Sequence, residues 1–312
     1  MSDHVQSSAP SKNHFDEKDS ASTAAPKSEL VLIHGWGINR QIWLPLLPLL
    51  TPSFHVTLLD IRGYTPEPDS QDFTSLTLEA TVDDLLQQAP DKATWVGWSL
   101  GGTLALKAAM AQPSRIDRLI LIGSTPRYLT ADDWEWGMEP AVLADLMDRF
   151  QLNFHKGLKR FLLMQTSDRH RVNQIVAATA TFHQPDWRTL NHTIKFLTES
   201  DLRPVIPQIQ VPVASLIGYD DKIVSPRASA ELQRLVPPEL RIAPRAGSSA
   251  IVATEHTKRS GPFDKTVKST QDQDQDQSRR ESFFFSGGHL FFLDQPEAFA
   301  SVLSEIIGET SS

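Results

Sequence analysis

The 312-residue chain contains no cysteine. That absence excludes disulfide scaffolds, thiolate zinc sites and cysteine nucleophiles, and it agrees with a reducing compartment. No run of about 18 apolar residues is present, so no segment reads as a membrane-spanning helix. The N-terminus lacks the basic-then-apolar order of a secretory signal, which makes a cytoplasmic address the expectation. Positive charge is scarce as well. Thirty Lys and Arg against 38 Asp and Glu leave a formal charge of -8, so the molecule as a whole offers no attraction to nucleic acid or to an anionic membrane. Any anion-binding surface has to be local.

What is present is enough for a substantial core. Hydrophobic residues make up 40% of the chain and charged residues 22%, which suits one large domain or two small ones. Residues 1–28 are polar, rich in Ser and Ala and nearly devoid of aliphatic side chains, and read as a disordered leader. From Glu29 the texture changes. Leu30–Ile33, Phe54–Asp60, Thr94–Gly97, Leu119–Gly123 and Val213–Gly218 are short apolar runs closed by Gly or Asp, the pattern of buried strands. Helix-length segments such as Leu76–Gln88 and Leu100–Ala111 alternate with them. Such alternation predicts βαβ units and a doubly wound α/β core with a mostly parallel sheet, built from 29–126 and 204–312.

Two stretches break that rhythm. Residues 127–203 carry Trp134, Trp136, Phe150, Phe154, Phe161 and Phe182 in helical texture with no clear strand, and are expected to form a helical cap over one end of the sheet. Residues 247–282 are polar and include QDQDQDQ, which predicts a floppy surface loop inserted in the core. Either Arg241–Ala246 or Phe283–Ser286 then serves as the last strand, before a final amphipathic helix over Pro296–Ile307.

Chemistry concentrates at strand ends. Gly97-Trp98-Ser99-Leu100-Gly101, followed by Gly102, lies where a predicted strand meets a predicted helix. Glycines two before and two after the serine leave room for a sharp, strained turn that exposes its hydroxyl. The bare pattern is common, and Ser99 as a helix N-cap is the plain alternative. Serine needs a base within hydrogen-bond reach, itself oriented by a carboxylate, and on this architecture the chain order is serine, acid, histidine. Asp221, in GYDDKIV after a strand run, fits the acid, although Asp220 and Asp221 are also ordinary turn residues. His289, in GGHLFF just before the last helix, fits the base. Acyl transfer also requires donors aimed at the developing oxyanion. The Leu100 N–H follows the nucleophile, and the Trp36 N–H in His34-Gly35-Trp36-Gly37, after the first strand, is the second. The His34 side chain is expected to fix that loop, and the Trp36 ring to wall a pocket. No metal or organic cofactor is called for.

With these residues in place the sequence resembles the α/β-hydrolases, and more narrowly the pimeloyl-[acyl-carrier protein] methyl ester esterase family of biotin biosynthesis. The likeness rests on LVLIHGWGINRQIW, LLQQAPDKATWVGWSLGG, RFLLMQT, SDLRPVIPQIQVP and GYDDKIVS, and resumes at His289. It implies a triad of Ser99, Asp221 and His289, an oxyanion hole from Trp36 and Leu100, and an acyl pocket lined by Phe161, Leu162, Leu163, Met164 and Gln165. It also implies a partner, an acidic acyl carrier protein bearing the substrate. Residues 149–171 hold six basic side chains against one acidic, a net of +5, and Lys156, Lys159 and Arg160 would share a helix face for docking. Arg169 and Arg171 fit by charge but not by register. The acid-to-histidine interval of 68 residues is longer than the family pattern. The rivals are a broad short-chain carboxylesterase or a carbon–carbon bond hydrolase of the same fold, and, from another class, a slow-turnover ligand-binding module.

Overall fold

The computed structural model describes residues 26–64, 76–179, 185–250 and 281–308. Six strands, β1 (Ser28–Ile33), β2 (Phe54–Leu59), β3 (Ala93–Trp98), β4 (Ile116–Ile122), β5 (Val213–Gly218) and β6 (Phe283–Phe285), form one sheet. Their spatial order is β2-β1-β3-β4-β5-β6 and every pairing is parallel. The chain departs from β1 in one direction to reach β2 and returns on the other side to β3. This reversal opens a crevice at the carboxyl ends of β1 and β3, the usual place for a site on an open α/β sheet.

Burial follows position. The central strands β3 and β5 are buried along their whole length, whereas edge strand β2 is partly exposed, as expected where helices cover both faces of a parallel sheet. Helix α1 (Leu47–Leu50) is a single turn, and α2 (Leu78–Gln88) begins where the Thr77 hydroxyl accepts the Ala80 N–H. Helix α3 (Leu100–Ala111) is apolar almost all round and lies against β3 and β4, so its Gly and Ala run serves close packing.

Between β4 and β5 come α4 (Pro140–Leu152), α5 (Phe154–Gln165), α6 (Arg169–Thr179) and α7 (Trp187–Thr198). Only isolated bridges, Arg127 to Asp201, Leu129 to Met138 and Ala131 to Trp134, supply extended pairing among the described residues of this segment. Its two ends are tied together. Leu202 N–H donates to the Pro126 carbonyl at 2.8 Å, and the Asp201 carboxylate receives Arg127 at 2.9 Å and Arg203 at 2.6 Å. Hydrogen bonds from Arg203 pull the Asp201 carboxyl down to about 2.

The carboxyl-terminal part contains α8 (Pro226–Leu235), α9 (Phe291–Asp294) and α10 (Pro296–Gly308). Phe283–Phe285 is the last strand, while Arg241 contributes only a bridge to Val213. Two expected boundaries need correction. Ser28 already pairs with Phe54 in β1, so the sheet begins inside the proposed leader, whose residues 1–25 lie outside the described ones. Most of the proposed floppy loop, 251–280, likewise lies outside the described residues, but both of its ends are anchored. Ser248 Oγ donates to Glu305 at 2.7 Å, and Glu281 pairs with Arg241 at 2.7 Å. The sequence does not mark these contacts, because a serine or glutamate in a polar run looks the same whether tied down or solvated.

Candidate active site

Ser99 stands between β3 and α3 with φ of 55° and ψ of -114°, the one non-glycine residue with positive φ among those described. Such a conformation is costly for a side chain bearing a Cβ and persists only where the surroundings over-determine it. The constraints are visible here. Ser99 N–H donates to the Ile122 carbonyl at 2.9 Å, and the Ser99 carbonyl receives Gly102 N–H at 2.9 Å and Thr103 N–H at 3.2 Å. A Cβ on Gly101 would lie 2.6 Å from the His34 carbonyl, so only glycine lets the helix start press against the end of β1.

Asp221 and His289 are brought together. The Asp221 Oδ2 to His289 Nδ1 distance is 2.6 Å and both side chains are buried. Asp221 Oδ1 accepts the Ile223 and Val224 amides at 2.8 and 2.9 Å, which fixes the carboxylate, whereas its neighbour Asp220 is exposed. A carboxylate at Nδ1 demands the N–H there, leaving Nε2 as a bare acceptor. Nε2 is buried and has no hydrogen-bond partner. The end of β4 links this pair to the serine: Ile122 holds the Ser99 amide, and a Cβ on the next residue, Gly123, would lie 2.7 Å from His289 Nδ1. The Ser99 hydroxyl and Nε2 are not hydrogen-bonded in this arrangement, a common condition in hydrolase sites without substrate.

The two expected oxyanion donors, the Trp36 and Leu100 amides, follow the ends of β1 and β3. Neither the Trp36 nor the Leu100 amide is engaged in the hydrogen-bond network of the described residues. The Trp36 ring is held edge-on by Phe150 and Phe161, with centroids 4.9 and 5.5 Å away, and its Nε1 donates to the Leu190 carbonyl at 3.0 Å. Phe161, Leu162 and Gln165 are buried. Met164 is half-buried, and Leu163 is 44% exposed. A helix turns about 100° per residue, and Leu163 stands toward the outer face of α5 beside Lys159 and Arg160. Lys156, Lys159 and Arg160 are all exposed. Arg171 instead turns to Asp294, 4.0 Å away.

The sequence profile of the alpha/beta hydrolase fold matches residues 30–252. The chain belongs to that family. It is 37% identical over 208 residues, 65% of its length, to the pimeloyl-[acyl-carrier protein] methyl ester esterase of Serratia marcescens, 79% of which is covered. Against the enzyme of the same name from Photobacterium profundum it is 34% identical over 223 residues, 70% of this chain and 86% of that one. An esterase from Exiguobacterium antarcticum superposes with a TM-score of 0.67 at 19% identity, covering 90% of this chain and 92% of its own. A bromoperoxidase from Bacillus anthracis gives 0.68 at 16% identity, with 91% and 93% covered. At such identities these two structures speak for the hydrolase fold alone.

Several supports of the hydrolase site escaped the sequence reading. Trp98, noted only as part of a specific motif, donates from Nε1 to the His289 carbonyl at 3.1 Å and lays its ring 5.4 Å from the imidazole, so the residue before the serine holds the histidine backbone. Gly123 closes a predicted strand, yet nothing in its neighbours announces a positive φ of 50° under an imidazole. Thr166 Oγ1 donates to Asp294 at 2.9 Å, tying the end of α5 to α9 beyond the histidine. The expected part for His34 is visible in its bonds. Its Nδ1–H donates to the Gly35 carbonyl at 2.8 Å, and its Nε2 accepts the Ile61 amide at 3.0 Å. Complete burial pulls its imidazole down to about 4, against the weaker opposing pull of Asp60. His34 is therefore neutral at physiological pH, and its 3.4 Å approach to Asp60 is not an ion pair. Among the described residues no three His, Asp or Glu side chains converge to hold a metal ion.

Proposed function

We propose that this hydrolase is a serine carboxylesterase that removes the methyl group from the distal ester of a pimeloyl chain borne by acyl carrier protein, a step toward biotin. The observation that carries the chemistry is the buried Asp221–His289 pair at 2.6 Å, whose Nε2 is left without a partner at the sheet edge where Ser99 is held at φ of 55°. His289 Nε2 takes the Ser99 proton as Oγ attacks the ester carbonyl, and Asp221 stabilises the imidazolium. The Trp36 and Leu100 amides receive the oxyanion. Collapse of the intermediate expels methanol, which leaves with the proton from His289. Water activated by the same nitrogen then releases the carboxylate and restores Ser99.

The substrate assignment draws on the two relatives named above and on two features of this chain. A cavity of about 470 Å3 lies between the loop after Trp36 and α6, lined by Ile38, Ile42, Pro45, Ile175, Ala178 and Leu293 and also by the polar residues Asn39, Gln41, Gln174 and Arg171. Such a mixed lining, apolar along one part and polar along another, suits a linear acyl chain ending in a polar group. On the outside, Lys156, Lys159 and Arg160 form an exposed row on α5, and none of them makes an ion pair within the described residues. This is the surface we assign to the acidic carrier. No helix among the described residues is long and apolar enough to cross a membrane, and a cytoplasmic location completes the proposal.

The deciding experiment competes a carrier-bound pimeloyl methyl ester against a simple aryl ester. The carrier-bound substrate should win in kcat/KM, and the advantage should shrink with salt and with Lys156→Glu combined with Arg160→Glu. An equal rate for both esters, indifferent to salt and charge reversal, favours a broad carboxylesterase and removes carrier docking. A folded Ser99→Ala protein should lose several orders of magnitude in turnover, and near-normal turnover would remove the nucleophile. Rescue of a biotin-requiring strain that lacks its own esterase, with Ser99→Ala as control, tests the physiological reaction.

A further inference from the structure

Gln165 is fully buried, yet neither Oε1 nor Nε2 of its amide has a hydrogen-bond partner. Native proteins keep few such groups, and each calls for an explanation. Among the described residues His289 Nε2, of the catalytic pair, is likewise buried and without a partner. The two residues are neighbours. The Gln165 carbonyl accepts the Leu290 N–H at 3.2 Å, and a Cβ on Gly288 would collide with that same carbonyl. Residue 165 thus rests on the backbone to either side of His289.

Direction follows from the helix. Gln165 comes one turn after Phe161 on α5, and residues four apart share a face. The Phe161 ring packs on Trp36. The stripe made by 161 and 165 therefore runs from the loop proposed to hold the oxyanion toward the loop that carries the base. Thr166 and Asp294 pin the end of that helix to α9, so the amide is presented from a fixed support.

We propose that the Gln165 amide, together with His289 Nε2, holds the water that hydrolyses the acyl-enzyme. This inference rests on the esterase reading and adds to it the group that distinguishes water from other acceptors. A primary amide both donates and accepts. One hydrogen of the water goes to Nε2 and the other to Gln165 Oε1, which points the oxygen lone pair at the acyl carbonyl. Attack forms the new C–O bond while Nε2 takes the first proton. Collapse breaks the C–Oγ bond, the proton passes from Nε2 to Ser99 Oγ, and the acid leaves, with no change of oxidation state. An alcohol has one hydroxyl hydrogen, which it gives to Nε2, and so it does not need Oε1 as an acceptor.

The test is a partition measurement. A medium-chain p-nitrophenyl ester is turned over in the presence of methanol, and initial yields of free acid and methyl ester are compared for wild type, Gln165→Met and Gln165→Glu. Methionine keeps length and helix preference, and thermal unfolding checks the fold. Gln165→Met should raise the ratio of methanolysis to hydrolysis by about tenfold, the scale of one lost hydrogen bond, while the chromophore burst is retained. Gln165→Glu, which keeps an acceptor, should return the ratio toward wild type. An unchanged ratio in a folded Gln165→Met protein overturns the proposal, as does a parallel fall of burst and turnover. Failure of the esterase reading looks different: wild type would form no acyl-enzyme, and Ser99→Ala would match it.

Discussion

Gly123 offers the sharpest test of how the site is built. Its φ is 50°, and a Cβ placed on it would lie 2.7 Å from His289 Nδ1, 2.8 Å from Cε1 and 3.2 Å from Asp221 Oδ2. Ordinary contact begins near 3.4 Å, so in Gly123→Ala the imidazole has to move by about 0.7 Å or the end of β4 has to give. The ring is held on one side by a 2.6 Å bond to Asp221, and Trp98 donates to its backbone carbonyl on the other. Positive φ adds about 1–2 kcal/mol of strain for an alanine, and forcing a methyl into a packed site adds about 1–3 kcal/mol. A loss of about 2–5 kcal/mol in stability is therefore expected. Displacement of a catalytic base by most of an ångström should lower kcat by about 30- to 100-fold. The matched control is Gly247→Ala, where φ is 88° but nothing lies within 4 Å of the added Cβ. It should share the backbone strain and keep full activity. Urea unfolding and turnover of a chromogenic ester measure both quantities. Gly123→Ala activity within threefold of wild type, or equal losses in the two variants, would refute the reasoning.

Three further outcomes are expected. His34 is held near pKa 4 in the fold against 6.5 when unfolded, so the unfolded chain takes up the proton first as pH falls. Its contribution to stability is complete above about pH 6.5 and lost toward pH 4, about 3 kcal/mol in all. Urea midpoints at pH 7.5 and 4.5 should therefore fall further for wild type than for His34→Gln, and equal falls would contradict the neutral imidazole. Asp221→Asn turns an amide N–H toward Nδ1 or leaves that nitrogen free to lose its proton, which spoils the tautomer; turnover should drop by about 10³- to 10⁴-fold with the fold retained by circular dichroism, and a tenfold loss or less would sink the assignment. A glycine inserted after Phe285 should abolish turnover by moving His289 out of register, whereas one inserted within 251–280 should leave it near wild type, and equal effects would show that register is not what places the histidine.

Much of the architecture was legible because it depends on local pattern. Buried parallel strands need continuous β-branched and apolar runs, and these run in sequence at β1, β3 and β5 almost to the residue. Helix α3 was equally plain from Leu100 to Ala111. The serine turn was readable in part for the same reason: a Cβ on Gly97 would collide with Gly101 and Gly102 just past Ser99, whereas Gly101 is required by the Ile33 and His34 carbonyls at the distant end of β1. The greater exposure of Leu163 was also derivable, since helical periodicity turns it away from Phe161, Leu162 and Gln165.

The acid and histidine belong to another category, because their meeting is set by pairing between segments 68 residues apart. Leu216, Ile217 and Gly218 pair in register with Phe283, Phe284 and Phe285. The zipper continues past the strands: Tyr219 N–H donates to the Phe285 carbonyl and Asp220 N–H to the Gly287 carbonyl, both at 2.9 Å. From the last paired residues the acid is three steps on and the histidine four. Choosing between Arg241–Ala246 and Phe283–Ser286 as the last strand required that register, because both segments precede the histidine and both meet β5, Arg241 by a single bridge to Val213 and Phe283–Phe285 by three paired residues. The same logic explains why Trp98 and Gly123 went unassigned. Each acts on an imidazole that arrives from the far end of the chain, so neither has a local signature, and their meaning appears only once β6 has been laid against β5.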